Sequence, residues 1–213
     1  MDGTKVQNKI YYGYGKAALR LGLSFDIYRS VDGIEPLKIA NKIGSILVSP
    51  TVNWNYTAYR KYDANDWILI VDGRSIHVGD YLVGRNTFFV AAMQHLMPIM
   101  GVKCDRKITI RRPKSVGDKG NIGYSRYEAI TAATFDIIAK DCPCNFIKGS
   151  RGDTNPVKLA TDAKAPWFTM YLPKLGQFLK VGDIVVDEYK QEYVVSTNEL
   201  TELGWRINLL GLE

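Results

Sequence analysis

Ser75-Ile76-His77-Val78-Gly79-Asp80-Tyr81-Leu82-Val83 is echoed 103 positions later by Phe178-Leu179-Lys180-Val181-Gly182-Asp183-Ile184-Val185-Val186. In each copy a glycine, Gly79 or Gly182, supplies the free φ of a tight turn. The aspartate after it, Asp80 or Asp183, can cap that turn through the backbone, and β-branched or aromatic residues then enter a sheet. The likeness runs on downstream, where Phe89-Val90-Ala91 corresponds to Tyr193-Val194-Val195 after a one-residue slip, and Leu96 to Gly101 corresponds to Leu200 to Gly204. Upstream, each copy has a strand opened by tryptophan, Trp67-Ile68-Leu69-Ile70 and Trp167-Phe168-Thr169-Met170. Each copy reads as strand, short link, Val-Gly-Asp turn, strand, hairpin, strand, connection, strand. Such a unit of about 45 residues has little core and exposed sheet edges, so two copies, or copies from neighbouring subunits, are expected to cover each other. The competing explanation is coincidence, because Val-Gly-Asp is a common strand entry.

Outward from the repeat the chain keeps the same character. Leu23 to Arg29, Ser45 to Ser49, Trp67 to Val71, Tyr81 to Val83, Phe88 to Ala92, Val102 to Ile110, Trp167 to Tyr171, Ile184 to Val186, Glu192 to Ser196 and Trp205 to Leu210 read as short strands. From Thr4 to Leu21, Val6, Ile10, Tyr14, Ala17, Ala18 and Leu21 recur at helical steps and Gly22 stands where a helix closes. Gly13 and Gly15 weaken that helix, so it needs tertiary contacts or assembly to hold it. The expected fold is mainly β with an N-terminal helix, α+β overall, built on two related small β-barrel or sandwich modules. The divisions are a helix over 1–22, a first β module over 23–113, a connecting loop region over 114–162 and a second β module over 163–213. Within the connection, residues 124–140 are open to either helix or strand.

Composition excludes several classes. With 213 residues, 46% hydrophobic and 23% charged, the composition excludes wholesale disorder and collagen-like repeats. Its longest apolar stretch, Phe88 to Met93, is far short of the roughly 20 residues of a membrane helix, and no apolar leader follows Met1. Synthesis in a cytoplasm is the expectation. Cys104, Cys142 and Cys144 cannot all pair, a bridge across Cys142-Pro143-Cys144 would be strained, and two scattered histidines do not make a zinc site. No catalytic elbow, dinucleotide fingerprint, phosphate loop or metalloprotease motif occurs. Catalytic, cofactor and metal residues are therefore expected to be absent.

The net charge of +6 is concentrated in the first half, where residues 1–113 carry 16 Lys+Arg against 9 Asp+Glu. It peaks at Lys103, Arg106, Lys107, Arg111, Arg112 and Lys114, around an alternation that puts Ile108 and Ile110 on one face of a strand. Those charges read either as a channel or partner-facing basic patch or as a solvated strand that discourages edge pairing. A second cluster, Trp54, Tyr56, Tyr59, Arg60 and Tyr62, with Tyr11 and Tyr14 in the helix, has the composition of interface anchors, with packing under a loop as the alternative.

His77 to Val83, and Lys180 to Val186 with Tyr193 to Val195, resemble the pattern apolar-x-x-Gly-Asp-apolar-apolar, followed by Tyr-apolar-apolar, of small neck, tail-completion and baseplate-core proteins of tailed bacteriophages. The opening Ile10 to Ala18, followed by Gly22 to Arg29, is similar to phage virion proteins that begin with a helix and continue into an extended Tyr-Arg segment. The resemblance implies a non-enzymatic virion protein, folded in the host cytoplasm. It implies a homo-oligomeric ring or collar that contacts tail tube, baseplate or neck proteins and touches DNA at most in transit. The alternative from another class is a nucleic-acid-binding β-barrel module, suggested by the pI near 9.1 and the aromatic-basic stretch.

Overall fold

The computed structural model describes residues 2–52, 66–113, 135–148, 167–202 and 204–212. Helix α1 (Gly3–Leu21) opens the chain, its first turn capped by the Asp2 carboxylate, which accepts from the Thr4 amide at 3.0 Å. Six strands follow: β1 (Leu23–Tyr28), β2 (Lys42–Val52), β3 (Asp66–Ile70), β4 (Tyr81–Val83), β5 (Thr87–Ala92) and β6 (Met100–Cys104). Six more complete the fold: β7 (Arg106–Pro113), β8 (Phe135–Lys148), β9 (Trp167–Leu172), β10 (Ile184–Asp187), β11 (Glu192–Thr201) and β12 (Gly204–Gly211).

These strands close into two barrels, ordered β1-β2-β3-β6-β5-β4 and β7-β8-β9-β12-β11-β10. Matching each strand of the first to the strand six places later turns one order into the other, so the two barrels share one topology. Closure repeats as well: Ile27 pairs with Leu82 where β1 meets β4, and Ile110 pairs with Val185 where β7 meets β10. The fold is thus mainly β with an N-terminal helix and two related small barrels. Because both sheets close, the described strands leave none of the exposed sheet edges expected from the sequence.

The repeat is larger than its legible part, and its register differs in three places. β1 and β2 belong to the first copy and β7 and β8 to the second, so each unit has six strands, and the border falls at Asp105 rather than after Pro113. The stretch read as one strand, Val102 to Ile110, is two, one in each barrel. They part where the Asp105 amide donates to the Cys144 carbonyl and the Asp105 carboxylate accepts from the Phe146 amide. The connecting region contains β8, disguised by Pro143 and by Asp141, which takes a positive φ of 50°.

Downstream of the turn the slip is two residues, since Tyr81 pairs with Phe89 but Ile184 with Val194; the second hairpin is two residues longer. The tryptophans are not equivalent either. Trp67 corresponds to Phe168, each edge-on to the matching ring two strands away, Trp67 to Phe88 at 5.7 Å and Phe168 to Tyr193 at 5.5 Å. Gly101 and Gly204 do not match, because Gly101 lies inside β6 opposite Val90 whereas Gly204 opens β12.

Phe25, Ile27, Val48, Leu69, Leu82 and Phe88 form the first barrel's core, and Tyr11 of α1 packs against it. Tyr11 is therefore an internal anchor rather than a free interface residue; Tyr14 is half-buried on the same helix. A Cβ on Gly73 would sit 2.6 Å from the Tyr11 ring, so glycine is what lets the helix lie this close. Gly15 faces Asp72 in the same way, while Gly13 has open space around it. A helix with two internal glycines is marginal alone. Tyr11→Ala is expected to cost about 2 kcal/mol, given a half-buried aromatic, and to speed amide exchange along α1 before the barrels open.

Candidate functional site

The repeated turns define a repeated polar constellation. Gly79 and Gly182 adopt φ of +92° and +90°, and their amides donate to the Val90 and Val195 carbonyls at 2.8 and 2.9 Å. Asp80 and Asp183 are each 1% exposed. One oxygen of each accepts from the backbone three residues back, Asp80 from the His77 amide at 2.7 Å and Asp183 from the Lys180 amide at 2.8 Å. The carboxylate also takes an arginine from the neighbouring strand across the barrel closure, β1 beside β4 or β7 beside β10. Arg29 bonds Asp80 through Nε at 2.7 Å and Nη2 at 2.6 Å, and Arg112 bonds Asp183 through Nε and Nη2, both at 2.8 Å. Each arginine also reaches a carbonyl of the link before the turn, Ser75 or Phe178. The bidentate carboxylates hold both guanidinium groups above their ordinary pKa. Each latch ties the end of a barrel's first strand, β1 or β7, to the turn that starts its fourth.

This geometry reassigns much of the basic cluster. Arg112 is a latch, Arg106 bonds Asp187 at 3.0 Å and stacks on Phe146 at 5.0 Å, and Arg111 pairs with Glu192 while lying 4.7 Å from the Phe135 ring centre. Lys107 is exposed and Lys103 half-buried. Arg106, Arg111 and Arg112 therefore do not join Lys103 and Lys107 in a free basic patch, since each is paired with a carboxylate of the second barrel. Lys114, Trp54, Tyr56, Tyr59, Arg60 and Tyr62 lie outside the described residues.

Between the barrels the core is continuous. Tyr81, Phe89, Ala91 and Val102, on the outer side of β4, β5 and β6, join the cluster that fills the second barrel. The Tyr81 hydroxyl donates to the Pro143 carbonyl at 2.9 Å and lies 3.2 Å from Cys142 Sγ, and Asn145 Nδ2 donates to the Lys103 carbonyl at 2.9 Å. Around the rim, Lys140 bonds Glu35 of the β1–β2 connection. Cys104, Cys142 and Cys144 are free thiols, the last two buried.

Burial pushes the Cys142 thiol up to about 11 and drives Cys144 and Tyr81 the same way. Folding therefore favours the protonated thiol. That contribution is whole below the ordinary value of 9.0 and fades as pH rises toward about 11, so stability should fall between those limits. Comparing urea unfolding at neutral and alkaline pH checks this. At pH 8 a thiol reagent should modify Cys142 and Cys144 at least about a hundredfold more slowly in the folded chain than in the unfolded one.

Among the described residues no group of three or more His, Cys, Asp and Glu side chains could hold a metal, and no helix is long and apolar enough to cross a membrane. No family model, curated protein or solved structure matches the chain.

Proposed function

We propose that the chain is a non-enzymatic structural subunit of a tailed-bacteriophage virion, assembled in the host cytoplasm, a ring or collar protein that joins tail-tube, baseplate-core or neck components. The observation that carries this reading is the pair of closed barrels of identical topology, each fastened by the same buried Arg-Asp latch. The repeated polar groups are used up in holding the turns, which suits a rigid spacer rather than a reacting centre. The phage assignment draws on the resemblance of the Val-Gly-Asp units and of the helix-first opening.

The pairing of Arg106, Arg111 and Arg112 with carboxylates counts against the nucleic-acid module, because phosphates would have to displace internal partners. Contact with DNA in transit would fall instead to Lys103 and Lys107. Electron cryomicroscopy of the parent particle tests the proposal. A ring at the neck or tail whose subunit density fits two stacked six-stranded barrels is expected. Mature infectious particles that lack the chain would overturn it.

A further inference from the structure

The way the first barrel grips the second leaves an equivalent grip unused. The outer positions of β4, β5 and β6 that pack on the second barrel are Tyr81, Val83, Phe89, Ala91, Val102 and Cys104. The shared register maps them onto Ile184, Val186, Val194, Ser196, Leu210 and Leu212 of β10, β11 and β12, apolar at every position but Ser196. In the first barrel this face is covered. In the second, Val186, Val194 and Leu210 are half-exposed and Leu212 is 50% exposed. Ile184, 8% exposed, lies in the strand crossed by the Arg111–Glu192 ion pair, which bridges β7 and β11.

The receiving side repeats too. The second barrel accepts the first along β8, at Cys142, Pro143 and Asn145; the matching positions of β2 are Ile46, Leu47 and Ser49, all half-buried. Helix α1 runs beside β2, and its C-terminal turn shows Leu19 and Leu21 to solvent at 71% each. In a stack of repeats a terminal unit needs a polar outer face to remain single; here each end shows apolar side chains, Val194, Leu210 and Leu212 at one and Leu19 and Leu21 at the other.

We infer that these two ends belong together: the β10–β12 face of one copy docks on the β2 and α1 side of a second copy, continuing between chains the contact that joins the barrels within one. Such a contact is head-to-tail, so it closes a ring or extends a filament according to the rotation per step. The inference deepens the ring reading above by naming the surfaces that would make the ring.

The test uses two variants of the full chain. Val194→Lys with Leu212→Lys spoils the donor face, and Leu19→Glu with Leu21→Glu spoils the receiving face, in each case at outward positions that leave the cores intact. By sedimentation the wild type should be multimeric at tens of micromolar and each variant a single folded chain with an unchanged thermal midpoint. An equimolar mixture of the two should stop at two chains, since one good donor face then meets one good receiving face. A monomeric wild type, a variant that keeps the wild-type mass, or a mixture that stays monomeric would overturn the inference. A monomeric chain found as a ring in the particle would overturn this contact while leaving the virion role standing.

Discussion

Arg112→Ala is expected to destabilise the chain by about 3 kcal/mol, because it strands the Asp183 carboxylate, 1% exposed, with little more than the Lys180 amide for company. Breaking a fully buried ion pair costs more; here the Arg112 side chain is 24% exposed, which places the loss at the lower end. Arg29→Ala should cost less, about 2 kcal/mol, since Arg29 is 35% exposed. The two latches sit in different barrels and share no partner, so the double variant should show the sum. Arg112→Lys should recover only part of the loss, because a single ammonium cannot supply two parallel N–H bonds. Urea unfolding with a common slope measures all four. Losses below about 0.5 kcal/mol for both alanine variants would mean that the latches are surface ornaments of the turn.

Tyr81→Ala is the second large effect. It removes the aromatic that plugs the junction and the hydroxyl that bonds the Pro143 carbonyl, leaving a cavity between two cores that are continuous in the native chain. A loss of about 4 kcal/mol follows. It should fall mainly on the contact between the barrels, so a single unfolding transition should split into two as each barrel melts alone. Tyr81→Phe keeps the ring and should cost about 1 kcal/mol, the net worth of the hydroxyl's hydrogen bonds. One undivided transition for Tyr81→Ala, with a midpoint within a degree of the wild type, would contradict this account of the junction.

Much of the fold could be read from the chain because the turn is locally determined. A glycine at positive φ followed by a carboxylate that bonds the amide three residues back needs no distant information, and this is the part of the repeat that kept its letters. The arginine completing each latch was invisible: Arg29 and Arg112 lie 51 and 71 positions from their aspartates. Arg112 sits in a strand whose alternation looked like a solvated basic face.

That the first two strands of each copy belong to the repeat was equally hidden, although Leu23 to Arg29 and Ser45 to Ser49 read as strands. Phe25 and Ile27 fill the positions that Ile108 and Ile110 fill in the second barrel, where only volume and apolarity are constrained and identity drifts. The tryptophans misled in the opposite direction, a shared letter one position out of register, because an edge-on contact accepts Trp67 against Phe88 and Phe168 against Tyr193 alike. β8 could not be found by pattern, since Lys140, Asp141 and Pro143 break its alternation while Cys142 to Phe146 are buried on both faces.

The most direct measurement is the light-scattering mass of the purified chain, alone and titrated with short single- and double-stranded DNA at low and moderate salt. An assembly subunit predicts a defined mass above that of one chain, unchanged by DNA even at low salt. A single chain that binds DNA tightly, with affinity falling steeply as salt rises, would contradict the account and make the barrels a nucleic-acid-binding module.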